Sequence, residues 1–100
     1  MLPFTEKIVQ IIQGIPEGKV MTYGQIAKQA GNPRAARQVA RILHTMTKKY
    51  QLPWHRVINA KGKIAIKDEE KFYEQLVLLE SEGITVSDTG FIDLEKYRAI

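Results

Sequence analysis

The chain has 100 residues, a formal net charge of +4, 44% hydrophobic and 26% charged residues, and no cysteine. That length holds one compact domain, and the absence of any thiol excludes a disulfide scaffold, a cysteine nucleophile and a thiolate metal site. Two histidines, His44 and His55, are too few for a histidine-rich metal site, and no apolar run approaches the ~20 residues that span a bilayer.

No charged-then-apolar export segment opens the sequence. A single soluble domain over residues 1–100 is expected, cytoplasmic and monomeric, with no metal, cofactor or membrane partner. Phe4, Ile8, Ile11, Ile12 and Ile15 recur at helical spacing, and Gly14, Pro16 and Gly18 end that helix. A second helix starts near Thr22, a good N-cap, carries Tyr23, Ile26, Ala27 and Ala30, and stops at Gly31. Asn32-Pro33 reads as a cap followed by proline in the first turn of a third helix over Arg34–Leu43. Two short helices joined by a glycine turn form a helix-turn-helix candidate, about residues 22–46. Ala36, Val39, Ala40 and Leu43 supply its apolar face, and Arg34, Arg37, Gln38 and Arg41 supply the face that would meet a groove.

Beyond Leu43 the pattern becomes irregular as far as Pro53. Trp54–Ile58, the turn Asn59-Ala60-Lys61-Gly62 and Lys63–Ile66 then predict a short β-hairpin, a wing over about residues 56–66. Asp68 caps a fourth helix that turns Phe72, Leu76 and Leu79 inward, has Glu69 and Glu70 in its first turn, and closes at Gly83. An extended tail and a short helical end around Leu94–Ala99 complete a mainly α, winged helix-turn-helix fold.

The charge is sharply divided. Residues 1–63 carry eleven Lys/Arg against two acids, a net +9, whereas residues 64–100 carry four against nine, a net −5. No Asp or Glu lies between Glu17 and Asp68. One-signed stretches of this length point to a polyanion; the alternatives are a basic surface kept for solubility, or one answered by the acidic C-terminal helix.

Three ordered segments carry a more specific signal: IPEGKVMTYGQIA at 15–27, GNPRAARQV at 31–39 and PWHRVI at 53–58. Together with Leu-Leu-Glu-Ser-Glu-Gly at 78–83, they resemble the C-terminal DNA-binding domain of the O6-alkylguanine-DNA alkyltransferases, over about Phe4–Gly83. That family has Pro-Cys-His-Arg-Val where this chain has Pro53-Trp54-His55-Arg56-Val57. The replacement resembles the mark of the alkyltransferase-like proteins, which lack the acceptor cysteine. Direct repair needs a thiolate nucleophile, and an indole at position 54 is none.

The resemblance implies a recognition apparatus without the transfer chemistry. Inspecting the O6 of a stacked guanine requires turning the nucleotide out of the duplex. Tyr23 is similar to the tyrosine that promotes this rotation; a ring packed on the core is the alternative. Arg37 is similar to the arginine finger that fills the vacated stack; a plain phosphate contact is the alternative. Trp54 is either a loop anchor or the floor of a lesion pocket completed by Tyr23, His55 and Val57. His55 and Glu82 match a histidine–acid pair that has no thiol proton left to relay, so a structural pair is expected; a hydrolytic use is the minor reading. Arg34, Gln38 and Arg41 are expected on DNA, and Arg56 behind the recognition helix. Met46 stands where the family has a hinge asparagine, and a charged stretch at Lys67–Lys71 replaces the family's glycine-rich loop.

The implied function is a non-enzymatic sensor of O6-alkylguanine in double-stranded DNA that passes lesions to nucleotide excision repair proteins. The alternative is a sequence-specific winged-helix transcription regulator.

Overall fold

Helices dominate the computed structural model, which describes residues 1–100. Helix α1 (Pro3–Gln13) begins with proline, whose missing N–H costs nothing in a first turn, and buries Ile8, Val9 and Ile12. Strand β1 (Met21–Thr22) leads directly into α2 (Tyr23–Gln29). Thr22 and Gln25 form the reciprocal cap of that helix: Gln25 N donates to Thr22 Oγ1 at 3.0 Å, and Thr22 N donates to Gln25 Oε1 at 3.4 Å. Gly31, at φ +101°, makes the left-handed exit.

The third helix departs from expectation at both ends. Asn32 does not cap it but folds a local turn, accepting from Arg34 N at 3.1 Å, and α3 runs Ala36–Tyr50. Seven residues expected to be irregular are helical. Nothing from Leu43 to Tyr50 is Gly or Pro, and the Thr45 and Thr47 hydroxyls back-bond to the carbonyls of Arg41 and Leu43, so their polar groups are met inside the helix. The helix stops at Gln51, which takes the left-handed conformation at φ 51°.

The mainly α class stands, but the strands are not a local hairpin. A 3-10 turn over Trp54–Arg56 precedes β2 (Val57–Ile58), which pairs in parallel with β1, Met21 opposite Val57 and Thr22 opposite Ile58. The turn at Asn59 does form, with Asn59 Oδ1 accepting from Lys61 N and Lys63 N. The segment after it pairs instead with the C-terminal tail: Ile64 N donates to Gly90 O at 2.9 Å and Ile92 N to Gly62 O at 2.8 Å. Gly62 is required there, because a Cβ would lie 2.7 Å from Ile92 O. A two-strand hairpin is marginal in water, and non-local partners give both short strands the support that the turn alone cannot.

Helix α4 (Glu69–Ser81) is capped by Asp68, which accepts from Lys71 N, and turns Leu79 and Gln75 inward. A short α5 (Leu94–Tyr97) follows, capped by Asp93. The strand pair separates two cores. Met21 and Val57 face Ile8, Ile12, Ile26, Val39 and Ile42 from the first three helices. Val20 and Ile58 face Ile64, Leu79, Ile84, Ile92 and Tyr97. Successive strand residues point to opposite faces, so strands buried on both sides read as unbroken apolar pairs, here Val20-Met21 and Val57-Ile58.

Candidate nucleic-acid interface

Helix α3 presents three chemically distinct faces. Val39, Ile42 and Leu43 turn to the core. Arg37, Gln38, Arg41 and Lys48 are exposed, as is Arg34 just before the helix. The ion pairs of the molecule are His55–Glu82, Arg56–Glu82 and Lys71–Glu74, so none of these arginines is neutralised by an acid. Arg37 and Arg41, one turn apart, form a cationic ridge with no internal partner.

The third face opens on a cleft of about 450 Å³ lined by Tyr23, Ala40, Leu43, His44, Thr47, Trp54, Ile66 and Lys71. Tyr23, first residue of α2, is half-buried, and burial raises its hydroxyl pKa, keeping it a neutral donor. Trp54 forms the opposite wall, its ring edge-on to His55 at 6.2 Å and with Lys71 Nζ 5.9 Å from its centroid.

Behind Trp54 lies a polar clamp. His55 Nε2 donates to Glu82 Oε2 at 2.6 Å, and Gly18 N donates to Glu82 Oε1 at 2.9 Å. Arg56 brings Nε and Nη2 to the same carboxylate, the latter at 2.8 Å, and sends Nη1 to Ile15 O at 2.8 Å. Burial alone pushes Glu82 upward, but the Arg56, Gly18 and His55 donors overcome it and hold the carboxyl at about 2. An ionised carboxylate only accepts, so His55 carries its proton on Nε2. Gln75, 1% exposed, adds a second brace: its Nε2 donates to His55 O at 3.0 Å and Val57 O at 3.1 Å.

Of the four residues expected in a lesion pocket, the cleft brings together Tyr23 and Trp54. His55 faces Glu82 and a separate cleft of about 630 Å³ on the far side of Trp54, and Val57 is buried at 2% exposure in the strand pair. Lys71 belongs to the charged stretch that replaces the family's glycine-rich loop, whereas His44, Thr47 and Ile66 were not expected in the cleft. His44 and Thr47 follow Ala40 at helical spacing, a stripe readable only once α3 is known to continue past Leu43. Arg56 ties Glu82 to the Ile15 carbonyl in the turn after α1, and none of its hydrogen bonds reaches α3. Met46 packs against the helical core, and the exit from α3 is held by Leu52 N donating to Thr47 O at 3.1 Å.

The family model for the 6-O-methylguanine DNA methyltransferase, DNA binding domain, matches residues 3–84. The chain belongs to this family. It is 46% identical over 95 residues to a DNA base-flipping protein of Escherichia coli, covering 95% of this chain and 73% of that one. It is 39% identical over 88 residues to alkyltransferase-like protein 1 of Schizosaccharomyces pombe, covering 87% and 82%. The crystal structure of the S. pombe alkyltransferase-like protein in complex with damaged DNA containing O6-carboxymethylguanine superposes with a TM-score of 0.86 at 35% identity, covering 100% of this chain and 97% of that chain. Within the methyltransferase family this chain is thus alkyltransferase-like, and it has no cysteine at all.

Proposed function

We propose that this protein is a non-enzymatic sensor that binds O6-alkylguanine in double-stranded DNA by turning the nucleotide into the cleft between Tyr23 and Trp54. The observation that carries this reading is that Trp54 and Tyr23 line one largely apolar cleft, in a chain with no cysteine, along the helix that bears the unneutralised arginine ridge; we read Trp54 as standing at the family's acceptor position. The base-flipping and alkyltransferase-like relatives support it, as does the relative seen with damaged DNA.

Each element has a physical task. Exposed Arg34, Arg41, Lys28 and Lys48 supply sequence-independent phosphate attraction. Tyr23 crowds the backbone and promotes rotation. Arg37 enters the vacated stack, where its planar guanidinium stacks and donates. Leu43, Ile66 and the Trp54 ring hold the base and its alkyl group by dispersion. No thiolate takes the alkyl group, so the lesion leaves unchanged and its removal falls to another activity; we assign that step to nucleotide excision repair. We read the protein as a cytoplasmic monomer that associates with DNA; no helix is long and apolar enough to cross a membrane.

The test is a binding titration of one duplex carrying a single O6-methylguanine against the same duplex carrying guanine, at fixed salt. The sensor prefers the lesion in any sequence context and returns the DNA with its methyl group intact. Equal affinity for both duplexes overturns the reading. A preference that follows the flanking sequence favours a transcription regulator, and loss of the methyl group reveals an enzyme.

A further inference from the structure

The family match ends at residue 84, yet the chain beyond it is woven into the elements that carry Tyr23. The tail first pairs with the segment leading to the cleft residue Ile66, through Ile64 N to Gly90 O at 2.9 Å and Ile92 N to Gly62 O at 2.8 Å. Tyr97, 8% exposed, anchors its middle by accepting from Thr85 N at its hydroxyl, 3.1 Å away. The tail then lies along the entry to β1: Val20 N donates to Tyr97 O at 2.9 Å, and Ala99 N donates to Val20 O at 2.8 Å. Gln25 closes the circuit. Its Nε2 donates to Ala99 O while its Oε1 accepts from Thr22 N, the cap residue immediately before Tyr23.

One side chain therefore joins the tail to the first turn of α2, the turn that bears Tyr23. That helix has only seven residues and no side-chain cap beyond the Thr22–Gln25 pair, so few hydrogen bonds of its own fix its first turn, while Ile26 and Ala27 anchor the turn that follows. The tail links α2 to the Gly62–Ile64 segment, which leads to Ile66 in the lining of the same cleft.

We propose that the segment Phe91–Ala99 is a strap that sets the position of Tyr23 against the DNA, with Gln25 as the positioning residue. This rests on the reading of Tyr23 as the group that turns the nucleotide. The strap touches no base itself. It acts by keeping α2 from yielding when Tyr23 presses on the phosphate, so it contributes to flipping and not to general DNA affinity.

Two uncharged variants test this without altering the electrostatics of the interface: Gln25→Met, which removes the bridge, and Ala99→Pro, which removes the donor to Val20 O at a point behind α2. Anisotropy gives affinity for lesion and undamaged duplexes, and a 2-aminopurine placed beside the lesion brightens when the stack opens. Both variants are expected to keep undamaged-duplex affinity within about twofold while their lesion preference falls roughly tenfold and the brightening drops, since small misplacements of a working group carry penalties of this order or more. Wild-type brightening and lesion preference in both variants overturn the strap. If Ala99→Pro does not fold, by circular dichroism, Gln25→Met is compared with Thr22→Ala, which breaks the same cap but keeps the bond from Gln25 to Ala99 O; a fall in lesion preference and brightening no larger than that of Thr22→Ala overturns the strap. Absence of brightening in the wild type would instead remove the Tyr23 reading on which the strap depends, a result distinct from a wild-type signal that the variants retain.

Discussion

At the scale of single residues, the division of labour lies between groups that meet DNA and groups that hold the protein together. Arg37 is exposed and free of acids, so its loss should be felt in binding alone. Arg37→Ala is expected to cost lesion binding about 1–3 kcal/mol, the scale of a lost stacking contact; Lys28→Ala, a phosphate contact, should cost less and affect both duplexes alike. Equal losses would reassign Arg37 to the backbone. Glu82 behaves oppositely. Glu82 is half-buried and accepts charge-assisted hydrogen bonds from Arg56 and His55; losing bonds of this kind costs about 1.5–3 kcal/mol, so Glu82→Gln should lower the unfolding free energy by that order, measured by denaturant titration. Its pH dependence has a definite sign. The folded carboxyl titrates at about 2, below its ordinary value. The contribution is therefore complete above the ordinary carboxylate range and is lost as pH falls from there toward 2. Glu82→Gln should flatten that part of the acid-stability curve.

At the scale of elements, caps and helix length decide where functional groups stand. Thr22→Ala removes the acceptor for Gln25 N and is expected to cost about 1 kcal/mol, seen as a fall in Tm of about 4–8 °C for a domain of this size. That substitution leaves the α3 ridge untouched, so affinity for undamaged duplex should persist. The expected helix-turn-helix was legible because capping and glycine signals are local: Thr22, Gly31 and Asp68 each act on backbone groups within four residues. The continuation of α3 to Tyr50 was not. Thr45 and Thr47 weaken a helix by propensity, and the packing of Leu43, Met46 and Tyr50 on the core outweighs that only in the folded chain. The cleft residues His44 and Thr47 were lost with it.

At the scale of the whole molecule, the two charge halves act as one field. Binding to undamaged duplex should weaken linearly in log–log with salt, with a slope of about −3.6 for four phosphate contacts. Arg41→Ala should reduce the magnitude of that slope by about one without changing lesion preference. A titration across salt concentrations measures both, and a flat response would show that the basic half is not the DNA-facing surface.

The amino-acid sequence by itself determined the helical class, most caps and turns, the one-signed N-terminal charge, and the absence of any thiol. These depend on composition and on neighbours a few residues apart, and the family segments at 15–27, 31–39 and 53–58 carried the expectation of a DNA-binding domain. Only the tertiary structure decided that the strands pair in parallel across 36 residues of chain, Met21 with Val57, and that Arg56 joins His55 on Glu82. It also decided that His55 and Val57 lie outside the Tyr23–Trp54 cleft, and that the tail lies against Val20. Such contacts join residues far apart in the chain, where neither periodicity nor local propensity reports a partner. Which of several apolar pairs meet, and which acid receives an arginine, is settled by packing two cores around one strand pair.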